Sequence, residues 1–267
     1  MNQRLAPWRN AFPRRTRPLL MTALVVGDPF LEATRNYMNA LVEGGADLLE
    51  LVLPFSDPAF HGAVMRRANE RALNEKVGWE GLYKIIADFR LGEAEIPVIV
   101  TTYYNRLLAA GVSDCIEGLA AAGADGLMVM DLPYEEAATL KGLLEDRDLA
   151  LIQAVAPTTT VTRFRHIAKE AEGIFVWTGH CGTEVSFDPA RFDEQMRKLR
   201  QFSEIPLVAS MNIESGEDAR KIARSAHGVL VGSSLAWLVE GGGPDVEERL
   251  RTFVADLRIN LDAVQED

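Results

Sequence analysis

The chain has 267 residues, of which 48% are hydrophobic and 25% are charged, and its formal net charge at pH 7 is -11. This composition is typical of a folded protein, and no apolar run approaches the roughly 20 residues needed to cross a bilayer, which argues against a membrane protein. The negative charge disfavours nucleic acid as a partner, because phosphate backbones bind clustered Lys and Arg. It is compatible with a small anionic substrate, since a local site can be positive inside a negative protein.

The beginning of the chain, 1–18, is rich in arginine but lacks an apolar segment followed by a small-residue cleavage site. It does not resemble a secretory signal, so we expect a cytoplasmic protein with an N-terminal extension over 1–18. The only cysteines are Cys115 and Cys181, which have neither a disulfide pattern nor the spacing of metal ligands. We expect no metal and no organic cofactor in this chain.

Short apolar segments rich in Val, Ile and Leu recur along the chain, and amphipathic stretches follow them. This order is typical of βα units, and the lack of apolar-polar alternation indicates strands covered on both faces. The predicted strands are 19–26, 48–54, 97–103, 126–131, 150–156, 173–178, 205–210 and 228–232. Eight such units predict a (β/α)8 TIM barrel over 1–267 as a single domain, since such barrels reach about 250 residues. A doubly wound sheet is the alternative, but no Gly-x-Gly-x-x-Gly follows the first strand.

Helices are predicted between the strands, and two of them end in the same short sequence. Gly-Ala-Asp occurs at 45–47 and again at 123–125, each time just before a strand. We interpret each glycine as a left-handed helix cap that leads into the next strand. Predicted helices are 31–43, 112–121, 135–144, 161–170, 215–225 and, at the C-terminus, 246–262.

Glu50 stands alone as a charged residue in the apolar second strand. In barrels of this kind the carboxyl ends of the strands and the loops after them hold the active site. A carboxyl group facing into a barrel is costly unless it is paired or protonated, and an apolar setting raises its pKa toward that of a general acid. The alternative is a structural carboxylate that is hydrogen-bonded to a neighbouring strand.

Several motifs in and after the predicted strands occur in the order and spacing of one known family. They are Gly-Asp-Pro at 27–29, Leu-Glu-Leu at 49–51 with Pro-Phe-Ser-Asp-Pro at 54–58, Tyr-Tyr-Asn at 103–105, Asp-Leu-Pro at 131–133 with Glu-Glu at 135–136, and Ala-Pro-Thr-Thr at 156–159. With them, the chain resembles the α subunits of tryptophan synthase. This resemblance implies a TIM barrel that cleaves indole-3-glycerol phosphate to indole and glyceraldehyde 3-phosphate by a retro-aldol reaction. It also implies a pyridoxal-phosphate-bearing β subunit as partner.

By this resemblance Glu50 is the catalytic acid and base, and His61 stands where the family has its second catalytic carboxylate. A neutral imidazole accepts a hydrogen bond from the indole N–H, but it supplies no negative charge to a cationic indole intermediate. We therefore predict catalytic roles for Glu50 and His61. The alternative for His61 is a solvated loop residue.

The residues after the last two strands predict a phosphate site. Barrel enzymes bind phosphate there with backbone N–H groups and a helix N-terminus, and Gly232-Ser233-Ser234 fits this pattern. After strand seven, Asn212 replaces a glycine of the family and is expected to adopt the left-handed conformation, while Glu214 disfavours phosphate unless it points away. The alternative is that the Gly-Ser-Ser segment is only a helix cap.

The loop after strand six differs from the family, and Val176 replaces a tyrosine on the strand itself. We predict that a small phosphorylated substrate is bound by Tyr103, Thr183, Asn212, Gly232, Ser233 and Ser234.

A protein interface is implied by the resemblance at Pro54, Asp57 and Pro133, which lie on the loops that face the β subunit in the family. Three functions are compatible with these residues. The first is retro-aldol cleavage of indole-3-glycerol phosphate, with a tryptophan synthase β-subunit-like protein as partner. The second is a reaction of the same barrel on a different phosphorylated substrate, and the third is a catalytically weak paralogue that binds and regulates a β-like partner.

Overall fold

The computed structural model describes residues 17–93, 95–179 and 188–265. In these residues eight parallel strands form a closed barrel in sequence order, which confirms the predicted fold class. Each strand lies inside its predicted range, because apolar runs continue for a few residues into the loops. The strands are β1 Leu19–Val25, β2 Leu48–Val52, β3 Val98–Thr102, β4 Gly126–Val129, β5 Ala150–Val155, β6 Phe175–Thr178, β7 Leu207–Ser210 and β8 Gly228–Val231.

Helices surround the barrel and pack their apolar faces against the outward side chains of the strands. The predicted helix 135–144 is wrong at its start, because Tyr134–Glu136 forms a separate 3-10 turn. None of the helices in the described ranges is long and apolar enough to cross a membrane. The α-helices are α1 Leu31–Glu43, α2 Ala63–Asn74, α3 Trp79–Arg90, α4 Tyr104–Ala110, α5 Val112–Ala122, α6 Ala138–Glu145, α7 Val161–Glu170, α8 Pro189–Arg200, α9 Gly216–Ala223, α10 Ser233–Glu240 and α11 Val246–Asp262.

Side chains of each strand alternate between the barrel interior and the helices. On β2, Leu48 belongs to the cluster that fills the interior, whereas Leu49 and Leu51 belong to the cluster beneath the helices. Glu50 has the same parity as Leu48, so its side chain points into the barrel. This orientation is the condition that the catalytic interpretation of Glu50 requires.

The two Gly-Ala-Asp segments have the same structural role at the amino end of the barrel. Asp47 Oδ2 accepts from the Leu20 N–H at 2.9 Å, and Asp125 Oδ2 accepts from the Val98 N–H at 2.8 Å. Each carboxylate also pairs with an arginine that is at most one tenth exposed. The repeat therefore joins neighbouring strands at the end of the barrel opposite the strands' carboxyl ends.

The glycines of these segments adopt positive φ angles, as a left-handed turn requires. Gly123 caps α5 with φ 88° and ψ 29°, which confirms the predicted left-handed cap. Gly45 has φ 100°, but the cap residue of α1 is Gly44 in a right-handed conformation. The left-handed residue of the first segment therefore lies one position beyond the cap.

Candidate active site

A cavity of about 350 Å³ lies at the carboxyl ends of the strands. Its polar and apolar surfaces come from different strands and from the loops that follow them. Among the described residues, no group of three His, Cys, Asp or Glu side chains is placed to hold a metal ion. The polar side chains of the lining are Glu50, His61, Thr178, Ser210, Asn212 and Ser233. The apolar ones are Ala23, Val52, Phe60, Met65, Met128, Met130, Val176, Met211 and Leu230.

Glu50 is the buried carboxyl group of this cavity, with 4% of its surface exposed. Burial raises the pKa of Glu50 to about 7, and a hydrogen bond from Thr101 opposes that rise. The Thr101 hydroxyl donates to Glu50 Oε1 at 2.5 Å. Both the protonated and the ionised carboxyl are populated near neutral pH, so the group can give and take a proton there.

His61 enters the cavity from the loop between β2 and α2. Burial lowers the pKa of His61 to about 4, so the ring is neutral at pH 7. Its Nδ1 lies 3.4 Å from the side-chain nitrogen of Asn69, and its ring meets the Tyr103 ring edge-on at 6.4 Å between centroids. The structure therefore brings Glu50 and His61 to one cavity, with a neutral ring at the second position.

Tyr103 is buried and does not belong to the cavity lining within the described residues. Its ring stacks on Phe55 at 4.7 Å between centroids, and the Phe60 N–H donates to its hydroxyl oxygen at 3.3 Å. The residue that reaches the cavity is Phe60, which lies against Tyr103. Tyr103 thus supports the loop that carries His61 through its contacts with Phe60.

The end of the cavity where the sequence predicts a phosphate site, here called the phosphate end, is formed by the start of α10. Gly232 is the cap residue, and within the described part of the chain no side chain caps this helix. The first backbone N–H groups of a helix lack partners inside the helix and attract anions. Ser233 lines the cavity, whereas the Ser234 hydroxyl donates to the Ile213 carbonyl oxygen. Gly232 and Ser233 are therefore placed to meet a ligand, and Ser234 joins α10 to the loop after β7.

Asn212 lies at the same end of the cavity and is exposed. It is absent from the described residues with positive φ, so the expected left-handed conformation is wrong. Its side-chain amide donates to Glu214 Oε1 at 2.8 Å, which holds that carboxylate beside the phosphate end. Glu214 also borders a neighbouring cavity together with Ser233. The carboxylate lowers the local positive potential that a phosphate dianion needs.

The remaining predicted residues lie in three different settings. Thr183 falls outside the described residues. Asp57 and Pro133 are exposed at the carboxyl end of the barrel, where a partner could contact them. Pro54 is buried, so its side chain does not form part of the surface.

Sequence analysis missed the methionines of the cavity wall. Four methionines line it, namely Met65, Met128, Met130 and Met211. Methionine side chains adapt to irregular ligands and make favourable sulfur-aromatic contacts. Strand parity would have found Met128 and Met130, because both share the inward face at the end of β4.

Comparisons with known proteins decide the family. The family model described as "Tryptophan synthase alpha chain" matches residues 10–263. The chain belongs to the tryptophan synthase alpha chain family. A relative from Chromobacterium violaceum is 38% identical over 90% of this chain and 92% of its own length. One from Xanthomonas euvesicatoria is 36% identical over 92% of this chain and 94% of its own length.

Solved structures of the tryptophan synthase alpha family have the same fold. Tryptophan synthase subunit alpha from Legionella pneumophila superposes with a TM-score of 0.90 at 29% identity, covering 98% of this chain and 99% of that one. A chain of tryptophan synthase from M. tuberculosis superposes with a TM-score of 0.84 at 30% identity, covering 97% and 99%. Within this family the present chain has Val176 fully buried at the cavity, where it offers no hydroxyl to a ligand.

Proposed function

We propose that this chain cleaves indole-3-glycerol phosphate to indole and glyceraldehyde 3-phosphate by a retro-aldol reaction in the cytoplasm. Its partner is a tryptophan synthase β-type chain that consumes the indole. The observation that carries the proposal is Glu50, a buried carboxyl group with a pKa near 7 inside a cavity at the carboxyl ends of the strands. The substrate is proposed because the chain belongs to the tryptophan synthase alpha chain family.

The reaction breaks the carbon-carbon bond between the indole ring and the glycerol phosphate chain. The ring carbon that bears the chain takes up a proton, and the neighbouring hydroxyl group loses one as it becomes the aldehyde. A carboxyl group with a pKa near the working pH serves both transfers well, because it is a competent acid and a competent base. We therefore assign the proton transfers to Glu50, whose position Thr101 maintains.

The phosphate of the substrate fits the start of α10. Backbone N–H groups of the first helical turn and the helix dipole attract the dianion, and Ser233 adds a hydroxyl donor at the cavity surface. The apolar wall, including Met128 and Val176, faces the aromatic part of the ligand. The substrate therefore binds with its glycerol phosphate toward α10 and its indole ring toward β4 and β6.

Glu50 is tested by measuring indole release from indole-3-glycerol phosphate, alone and with a β-type chain. We expect the wild type to release indole, with a higher rate in the presence of the β chain. Glu50→Gln keeps the shape of the side chain but transfers no proton, so the rate should fall by at least about 10²-fold with an unchanged circular dichroism spectrum. Glu194→Gln, an exposed change of the same kind, is the control. Near-wild-type turnover of Glu50→Gln contradicts the proposal.

A second candidate function is the same type of cleavage on a different phosphorylated substrate. His61 favours it, because a neutral ring stabilises a cationic indole intermediate less than a carboxylate does. Glu214 beside the phosphate end favours it as well. The third candidate, a weak paralogue that regulates a β-type partner, applies if the protein activates that partner and cleaves nothing.

His61→Asp separates the first two candidates. If the site has drifted toward another substrate, as the second candidate holds, the added carboxylate should raise cleavage of indole-3-glycerol phosphate by on the order of a hundredfold, the effect of one electrostatic partner in a transition state. His166→Asp, the same change on the exposed face of α7, should leave the rate unchanged. A fall in the indole release of His61→Asp would show that the imidazole itself takes part in catalysis.

A further inference from the structure

The orientation of the Asn69 side chain is determined by two backbone groups. Asn69 is 1% exposed on α2, and its Oδ1 accepts from the Phe55 N–H at 3.0 Å. Its Nδ2 donates to the Met65 carbonyl oxygen at 2.7 Å. A backbone N–H only donates and a carbonyl only accepts, so exchanging the oxygen and the nitrogen of the amide would break both bonds.

The second hydrogen of Asn69 Nδ2 faces His61. The distance from Nδ2 to His61 Nδ1 is 3.4 Å. Since Nδ2 is a donor in this orientation, His61 Nδ1 must be the acceptor and therefore carries no proton. Turning the ring over would place its Cδ2–H against the amide hydrogen and lose the bond. Burial favours the neutral ring, because it lowers the pKa of His61 to about 4.

We propose that Asn69 is a positioning residue that holds neutral His61 with its proton on Nε2, so that the cavity presents an N–H donor to the ligand. The ligand group that faces His61 is then an acceptor, such as a hydroxyl, a carbonyl or an unprotonated ring nitrogen, rather than an N–H. This inference depends on the proposed function only in taking the cavity as the substrate site. It deepens that function and replaces the expectation that His61 accepts a hydrogen bond from the indole N–H, because it states which chemical group the chain selects at this position.

The tautomer is measured by long-range ¹H–¹⁵N NMR of the full-length protein at pH 8. The chain has four histidines, so the His61 signals are identified by their loss in His61→Gln. His227 is an internal reference, because its Nδ1 accepts from the Leu207 N–H at 2.9 Å and its proton therefore belongs on Nε2. We expect His61 to show the same pattern as His227. A proton on Nδ1 of His61, or an average over both nitrogens, overturns the proposal.

Asn69→Asp tests whether Asn69 determines the tautomer of His61. A carboxylate cannot donate to His61 Nδ1 but accepts a hydrogen bond from it, so the proton should move to Nδ1. Asn74→Asp makes the same change at the exposed end of α2 and should leave the His61 signals as in the wild type. An unchanged His61 pattern in folded Asn69→Asp would show that Asn69 does not determine the tautomer. If Asn69→Asp does not fold, the wild-type spectrum alone decides.

Ligand selection is tested with indole and benzimidazole, which have nearly the same shape. Indole offers only an N–H, whereas benzimidazole also offers a ring nitrogen acceptor. At pH 8 we expect the wild type to bind benzimidazole at least about tenfold more tightly, since a donor left without an acceptor in a buried site is costly. This preference for benzimidazole should shrink in Asn69→Asp. If the wild type binds indole as tightly as benzimidazole or more tightly, the proposal that His61 selects an acceptor group is overturned. Failure to cleave indole-3-glycerol phosphate would overturn the proposed function without changing the NMR result.

Discussion

Two side chains in the cavity, Glu50 and His61, are shifted toward their neutral forms by the same cause. Burial penalises the charged state of each, so the pKa of the carboxyl rises and that of the imidazole falls. The Thr101 hydroxyl partly offsets the effect at Glu50. At neutral pH His61 is therefore uncharged, and Glu50 is the group of the pair that titrates there.

The raised pKa of Glu50 makes stability depend on pH. The folded protein holds the proton up to about pH 7, whereas the unfolded chain releases it near 4.5. The contribution of Glu50 to the free energy of unfolding is therefore fully present below pH 4.5 and is lost as the pH rises through 7. Glu50→Gln removes this loss, so its free energy of unfolding relative to the wild type should increase by about 2 to 3 kcal/mol between pH 5 and pH 8.

Urea denaturation of both proteins at the two pH values measures this difference. Glu194→Gln, on the exposed face of α8, should keep a constant difference from the wild type. The raised pKa of Glu50 is refuted if the difference for Glu50→Gln is equally constant.

Among the elements, α2 and α10 form two sides of the site and are joined by charged side chains. Arg71 of α2 donates to both oxygens of Asp28 at 2.6 and 2.8 Å and to Glu240 of α10 at 3.1 Å. Asn69 lies on the same helix as Arg71, and Ser233 begins the helix that Glu240 ends. The contacts around Arg71 thus join α2, the helix behind His61, to α10, the helix whose start lines the cavity.

The second Gly-Ala-Asp segment provides a prediction about stability alone. Asp125 Oδ2 accepts from the Val98 N–H and, at 2.6 Å, from Arg90, which is 10% exposed. Asp125→Asn leaves the arginine charge buried without its carboxylate. We expect the free energy of unfolding to fall by about 3 to 5 kcal/mol, as when other buried ion pairs lose one member. The KM for the substrate should not change, because Asp125 lies at the opposite end of the barrel.

Urea denaturation of Asp125→Asn provides the measurement. Glu194→Gln breaks an exposed ion pair with Lys198 and is expected to change stability little, since such pairs are screened by water and salt. An equally small change for Asp125→Asn would show that the Arg90 pair contributes no more than a surface pair.

In the whole molecule, the two ends of the barrel differ in structure. The amino end contains the buried ion pairs that join the strands, and the carboxyl end contains the cavity and the exposed loops with Asp57 and Pro133. Asp57 and Pro133 are exposed at the same end of the barrel as the cavity, so a partner bound to them would lie next to the site. This separation allows residues of the active site to differ from the family without loss of the fold.

The partner surface is tested by Asp57→Lys. Reversing an exposed charge on this loop should weaken binding of a β-type chain by about tenfold and leave the fold intact, because charge reversal at an interface costs affinity. Asp146→Lys makes the same change after α6 at the amino end of the barrel and should have no effect. Affinity is measured by calorimetry, and equal binding by the two variants would place the interface elsewhere.

The eight strands and the inward carboxyl group could be predicted from the sequence because both depend on local patterns. An apolar run covered on both faces is read directly from its residues, and Glu50 is conspicuous in such a run. The true start of α6 at Ala138 could not be predicted. The spacing of apolar residues over 135–144 does not distinguish one continuous helix from a 3-10 turn followed by α6.

What the amino-acid sequence alone determined about this protein is the barrel, its family and the position of Glu50. The tertiary structure decided that Tyr103 supports the loop from behind Phe60, that the Ser234 hydroxyl donates to the Ile213 carbonyl oxygen, and that the Asn69 side-chain nitrogen lies beside His61 Nδ1. The physical reason is that a hydrogen bond depends on where donor and acceptor lie in space. The partners of these bonds are between 8 and 43 residues apart in the chain, and no local pattern specifies their meeting.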